Sequence, residues 1–261
     1  MTAPDWLTAR PIAHRGLHDA GSGVIENTAS AAAAAVQAGY AIEVDLQPSA
    51  DGEAMVFHDH TLDRLTEANG PVRNFTAAAL KQIAFKSTSD RMITLGELVD
   101  LVSGRTTLVL ELKSRFDGDA AVVLRAAAVL ATYPGPVAVM SFDPFLVATL
   151  RRRIPNPARG LVVQSQGNQT SREASRSGAT QGRMALILQA AQARPHFVAY
   201  QLQDIATAPP LIARHVLGLS LLTWTVRSER ERIEALRHAD QVIFEGFKPP
   251  VPGGGTNVSI E

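Results

Sequence analysis

Residues 28–46 read TASAAAAAVQAGYAIEVDL, and the way this stretch divides decides the fold. Thr28 to Ala38 is nearly all alanine, the strongest helix former, whereas Ala41 to Leu46 alternates along a short strand-like run. Working outward, seven further runs rich in Val, Ile, Leu or Phe read as strands: Pro11 to Arg15, Thr107 to Lys113, Val137 to Ser141, Gly160 to Gln164, Phe197 to Leu202, Leu219 to Val226 and Gln241 to Glu245. Helical stretches fall between them, including Gly118 to Thr132 and Ser228 to His238. This alternation builds a parallel sheet covered by helices. Eight βα units in 261 residues fit an α/β TIM (β/α)8 barrel spanning residues 1–261 as one domain, with a flexible tail from about residue 251. A doubly wound open sheet is the alternative with the same element order.

Two segments interrupt the alternation. Residues 54–59, AMVFHD, follow Asp51-Gly52, a dipeptide suited to a tight hairpin turn, so a short hairpin is expected after the second strand. With Asp51 and Gly52 as the turn centre, His58 would face Asp45. Residues 164–184 are rich in Ser, Gln, Gly and Arg and follow a strand where barrels carry site-forming loops, which suits either a lid or an ordinary surface loop.

Lys plus Arg and Asp plus Glu balance at 25 each, so no global field points to nucleic acid or an anionic membrane. With no cysteine, disulfides and thiolate metal sites are excluded. No apolar stretch approaches the roughly 18 residues of a membrane span, and the first residues do not read as a secretion signal, so a cytoplasmic protein without stable membrane insertion is expected.

The charged residues within the strands carry the chemistry. Glu43 and Asp45 share one face of an apolar strand, and Glu111 and Lys113 share one face of the next. In a barrel these four converge. Two carboxylates about 4 Å apart repel by roughly 4 kcal/mol even at an effective dielectric of 20, so the cluster calls for a cation. Hard oxygen ligands suit Mg²⁺ or Ca²⁺. The plainer alternative is a set of ion pairs to Lys113 and Arg15. The first strand ends in His14-Arg15-Gly16, and the hairpin brings in His58. Two histidines beside a carboxylate-bound cation, with Arg15 and Lys113 to hold an anion, make a set suited to phosphoryl transfer.

The segments IAHRGLHDAGSGVIENTASA at 12–31, IEVDLQPSADGEAMVFHDHTLDRLT at 42–66, LELK at 110–113, SFDP at 141–144 and LTWTV at 222–226, in that order, resemble the glycerophosphodiester phosphodiesterase family over about residues 11–247. The resemblance implies a TIM barrel, one divalent cation (Mg²⁺ or Ca²⁺, with Mn²⁺ as a further candidate), and hydrolysis of a small glycerophosphodiester to glycerol 3-phosphate and an alcohol. It places metal ligands at Glu43, Asp45 and Glu111, acid/base histidines at His14 and His58, phosphate contacts at Arg15 and Lys113, and an aromatic substrate wall at Trp224. Asn27-Thr28 reads as a helix cap, and Asp59, Asp63 and Arg64 as supports for the His58 loop. His18, His60, His196, His215 and His238 read as bland surface or loop residues. The last strand departs from the family's pattern, reading Val242-Ile243-Phe244-Glu245-Gly246. Two other functions fit the same elements: a lysophospholipase D-like enzyme, whose relatives carry disulfides that this chain lacks, and a non-catalytic barrel that binds phosphate esters.

Overall fold

A computed structural model describes residues 3–164 and 191–252. The segment 165–184 of the expected loop, and the end of the tail from residue 253, lie outside the described residues. Nine strands form one sheet: β1 (Ile12–Ala13), β2 (Ala41–Pro48), β3 (Ala54–Val56), β4 (Leu108–Leu112), β5 (Val137–Ser141), β6 (Ala158–Val163), β7 (Phe197–Gln201), β8 (Ser220–Val226) and β9 (Gln241–Phe244). All except β3 pair in parallel, and β1 pairs with both β2 and β9, which closes an eight-stranded barrel. The described helices are α1 (Ala29–Ala38), α2 (Ala77–Gln82), α3 (Leu95–Val102), α4 (Ala121–Leu130), α5 (Pro144–Arg153), α6 (Ala208–His215) and α7 (Glu229–Ala235).

Strand alternation sorts the core into two shells. Ile42, Val44, Leu46, Leu108, Leu110 and Leu112 point outward and pack with the helix faces of Ala32, Ala35, Leu98 and Val123. Ala41, Val109, Ala138, Phe197, Leu222 and Ile243 point inward and fill the barrel. Gly160 is needed in that inner layer because a Cβ there would lie 2.3 Å from the Phe197 ring. Helix starts are fixed locally: Thr28 accepts from the Ala31 N–H, Ser228 from the Glu231 N–H, and Thr94 with Glu97 forms a capping box. Such a cap contributes about 1 kcal/mol.

The hairpin forms, but with its register one residue from the expected one. Leu46 faces Val56 and Gln47 faces Met55, so Asp45 is opposite Phe57, whose N–H donates to the Asp45 carbonyl. The cause is the turn. Gly52, at φ 79°, takes the left-handed position at the end of a three-residue loop after a Ser49 to Gly52 turn, whereas the expected register needs it inside a two-residue one. The excursion also extends beyond a short hairpin. Residues 54–94 enclose a small core of their own, with Met55, Phe57, Leu62, Val72, Leu80, Phe85 and Met92 packed against Ile25.

Candidate active site

The inward face of β2 turns from Ala41 to Glu43 and Asp45, and that of β4 from Val109 to Glu111, all buried at the carboxyl rim of the barrel. One carboxylate oxygen from each of Glu43, Asp45 and Glu111 lies within 4.8 Å of the others. Lys113 is the nearest counter-charge, with Nζ 2.7 Å from Asp45 Oδ1 and 2.5 Å from Glu111 Oε1. Arg15 donates its backbone N–H to Glu43 Oε2 at 3.0 Å and sets Nε 3.5 Å from Asp45 Oδ2. To reach this position Arg15 adopts a left-handed φ of 56°, at a cost of about 1–2 kcal/mol. Gly16 follows at φ 82°, where a Cβ would sit 2.8 Å from the Ala31 backbone, so only glycine lets the turn meet α1.

Two cations do not neutralise this cluster. Burial, and then the Asp45 charge, push the Glu43 carboxyl well above the usual range, and burial also raises Glu111 in spite of Lys113. Asp45 is buried as well, yet Lys113, His58 and Arg15 hold it below the usual range. Glu43 Oε1 is buried with no hydrogen-bond partner among the described residues. An orphaned buried oxygen on a carboxylate that resists ionisation fits a cation-binding role, and three hard oxygen donors suit a divalent cation.

Both predicted histidines reach this rim. His14 sets Nε2 3.9 Å from Glu43 Oε2, and its Nδ1 is 2.6 Å from Glu245 Oε2. Burial lowers the His14 pKa, outweighing Glu245. Glu245, in the segment that departs from the family's pattern, is held below the usual range by His14 and His18, with Arg227 2.6 Å from its other oxygen. His58 pairs Nδ1 with Asp59 at 2.7 Å. Arg64 grips Asp59 Oδ2 at 2.6 Å and reaches Glu26 Oε1 at 2.6 Å, while Arg15 also contacts that oxygen. Arg64 and Asp59 therefore brace the His58 loop as expected, whereas Asp63 accepts from the Gly70 N–H farther along.

Four assignments shift, among them His196, which is not bland because its Nδ1 accepts the Arg159 N–H at 3.2 Å. Thr28 alone is the helix cap. Asn27, at a left-handed φ of 58°, instead donates from Nδ2 to Asp45 Oδ2 at 2.9 Å and accepts the Asp45 N–H at 3.1 Å. His18 is not bland, since its Nε2 lies 3.8 Å from Glu245. Nor is His60, whose Nδ1 is 3.3 Å from Gln47 Oε1. Trp224 faces the barrel interior, packs edge-on against Phe142 with centroids 5.7 Å apart, and donates its indole N–H to the Ala199 carbonyl. Alternation along β8 and β9 could have flagged Trp224 and Glu245, which share the inward parity of Leu222 and Ile243.

Residues 14–244 match the glycerophosphoryl diester phosphodiesterase family. The chain belongs to that family. A glycerophosphodiester phosphodiesterase from Caldanaerobacter subterraneus subsp. tengcongensis is 30% identical over 164 residues, covering 59% of this chain and 66% of that protein, just under two thirds of its length. A putative glycerophosphoryl diester phosphodiesterase from Silicibacter pomeroyi is 26% identical, with a TM-score of 0.70 over 90% of this chain and 89% of its own. A phosphodiesterase from Oleispira antarctica, solved with the product sn-glycerol-3-phosphate, shares the fold at 23% identity, with a TM-score of 0.71 over 90% and 91%.

Proposed function

We propose that this member of the glycerophosphoryl diester phosphodiesterase family hydrolyses glycerophosphodiesters to glycerol 3-phosphate and an alcohol, with His14 and His58 as the acid/base pair. The observation that carries the reading is the orphaned Glu43 Oε1 amid three buried carboxylates, with a carboxylate-backed imidazole beside the cluster. Glu43, Asp45 and Glu111 would hold a divalent cation, Mg²⁺, Ca²⁺ or Mn²⁺. Bound there, the cation supplies Lewis-acid polarisation of a phosphoryl oxygen.

The rest of the work falls to the chain's own side chains. Arg15 and Lys113 offset the phosphate's negative charge, and Trp224 with Phe142 forms an apolar wall for the glycerol moiety. One histidine accepts a proton from the attacking oxygen, either water or the neighbouring glycerol hydroxyl, and the other donates one to the departing alkoxide. Glu245 and Asp59 fix the two rings through Nδ1 and leave each Nε2 for the substrate. Among the described residues no helix is long and apolar enough to cross a membrane.

The test is release of glycerol 3-phosphate from glycerophosphocholine before and after chelation. Activity should disappear with EDTA and return with Mg²⁺, Ca²⁺ or Mn²⁺, and Glu43→Gln and Glu111→Gln should each weaken cation binding in calorimetric titrations. Full turnover after exhaustive chelation would falsify the metal assignment.

A further inference from the structure

Beside the carboxylate cluster a small cleft opens to the surface, and Lys113 belongs to both. Its other wall is formed by Gln47, His60, Arg73, Arg115 and Asp117, at the junction of the β2 end, the excursion and the loop after β4. A group esterified to a phosphate held by Lys113 could enter this cleft, because Lys113 lines it.

The charges of the cleft are unequally committed. Asp119 spends Oδ1 on the Ala121 N–H at 2.9 Å, at the start of α4. Asp117 accepts the Asp119 N–H at 3.1 Å and lies 3.9 Å from Arg73. Both acids thus serve their own loop or a neighbouring cation. Arg115 makes no hydrogen bond or ion pair among the described residues. Its field is felt inside the cleft, where burial first, and then Arg115 and Lys113, lower the His60 pKa. Gln47 fixes that ring as well: its amide N–H donates to the His58 carbonyl at 2.9 Å, so its oxygen faces His60 Nδ1 as an acceptor. The neutral ring then offers Nε2 as an acceptor. An uncommitted guanidinium beside an imidazole acceptor suits an anion on a hydroxylated or amino-bearing alcohol.

We infer that the cleft beside Lys113 selects glycerophosphodiesters whose alcohol carries a second anionic group, a carboxylate or a phosphate monoester, and that Arg115 is the residue that holds it. The inference rests on the phosphodiesterase reading and adds the substrate class.

Two matched pairs test it: glycerophosphoserine against glycerophosphoethanolamine, which differ by a carboxylate, and glycerophosphoglycerol with and without a terminal phosphate. For the metal-loaded enzyme, kcat/KM should favour the anionic member of at least one pair by about ten-fold, the scale of one charge-assisted hydrogen bond. The pair that responds identifies the anion. Arg115→Gln should bring that ratio close to one, Arg115→Lys should retain part of it, and Arg115→Glu should reverse it. Arg115 is exposed in a loop, so these variants should fold, and comparing ratios within each variant removes differences in active fraction. Equal rates within both pairs, or a preference that survives Arg115→Gln, overturns the inference and leaves the phosphodiesterase reading standing. A glycerophosphocholine preference abolished by Asp117→Asn also overturns it, in favour of a cation subsite. Absence of turnover on all four substrates and on glycerophosphocholine with each of the three cations removes the phosphodiesterase reading and the inference together.

Discussion

The two histidines of the site have the same local chemistry and opposite supports. Each presents Nδ1 to a carboxylate, at 2.6 Å for His14 and 2.7 Å for His58. His14 follows β1 and leans on Glu245 just past β9, so neighbouring barrel strands hold both partners, and its side chain is 14% exposed. His58 stands on the excursion, 31% exposed, and its carboxylate is tied back to the barrel by the Arg64 to Glu26 to Arg15 chain of ion pairs. One half of the site is positioned by the backbone ladder, the other by side-chain charge. The halves should therefore fail in different ways.

The largest effect should come from the histidines themselves. His14→Ala and His58→Ala should each lower kcat by on the order of 10² to 10⁴. A nitrophenyl ester, whose leaving group needs little protonation, should rescue only the variant lacking the acid, which tells the two roles apart. Near-wild-type rates in both variants would show that the rings merely shape the site. Arg64→Ala should come next, because a loop displaced by about 1 Å can cost up to roughly 10² in rate. Its signature is a fall in kcat with unchanged Mn²⁺ affinity by calorimetry, whereas a parallel loss of metal binding would mean that the halves are not independent.

Asn27→Ala should act on the barrel half through stability. It leaves the buried Asp45 N–H without its acceptor, a loss of about 1–3 kcal/mol visible as a lower Tm. An unchanged Tm would mean that water replaces the side chain. The smallest effect concerns pH. Glu26 and Asp59 are both buried in part, and Arg64 is prominent among the groups that hold each below its ordinary value of 4.5 or 3.8. The folded state then binds fewer protons than the unfolded one, so this stabilisation is present above about pH 4.5 and is lost as pH falls through the folded values. The gap in unfolding free energy between wild type and Arg64→Ala should start to close below that pH. A gap constant down to pH 3 would assign the Arg64 contribution to packing.

The barrel half was the more legible in the sequence. Alternation alone set Glu43, Asp45, Glu111 and Lys113 on one inner face, because a strand in a barrel leaves a side chain only two directions. The strand Val137–Ser141 was legible to the residue, since both ends are marked by changes in composition. Asn27 was hidden because its role depends on a left-handed backbone and on a strand partner eighteen residues away, while the sequence displays only a polar residue before a helix. Glu245 had the right parity but followed the three apolar residues Val242 to Phe244 at the end of the strand. The excursion hid most. Its pairing turned on whether Gly52 ends a three-residue loop or sits within a two-residue one, and α3, announced by the Thr94 to Glu97 capping box, passed unread between two expected strands.

The brevity of β1 has a consequence for how such a molecule can diversify. With two residues, β1 occupies only the lower part of the β2 edge, at Ala41 and Ile42, and β3 docks on the upper part at Leu46 to Pro48. The barrel is already closed below that junction. Residues 49–94 therefore leave and rejoin the barrel beside one stretch of edge, so a change in their length would leave the eight-strand closure intact, while any change that moved His58 would alter what faces the three carboxylates.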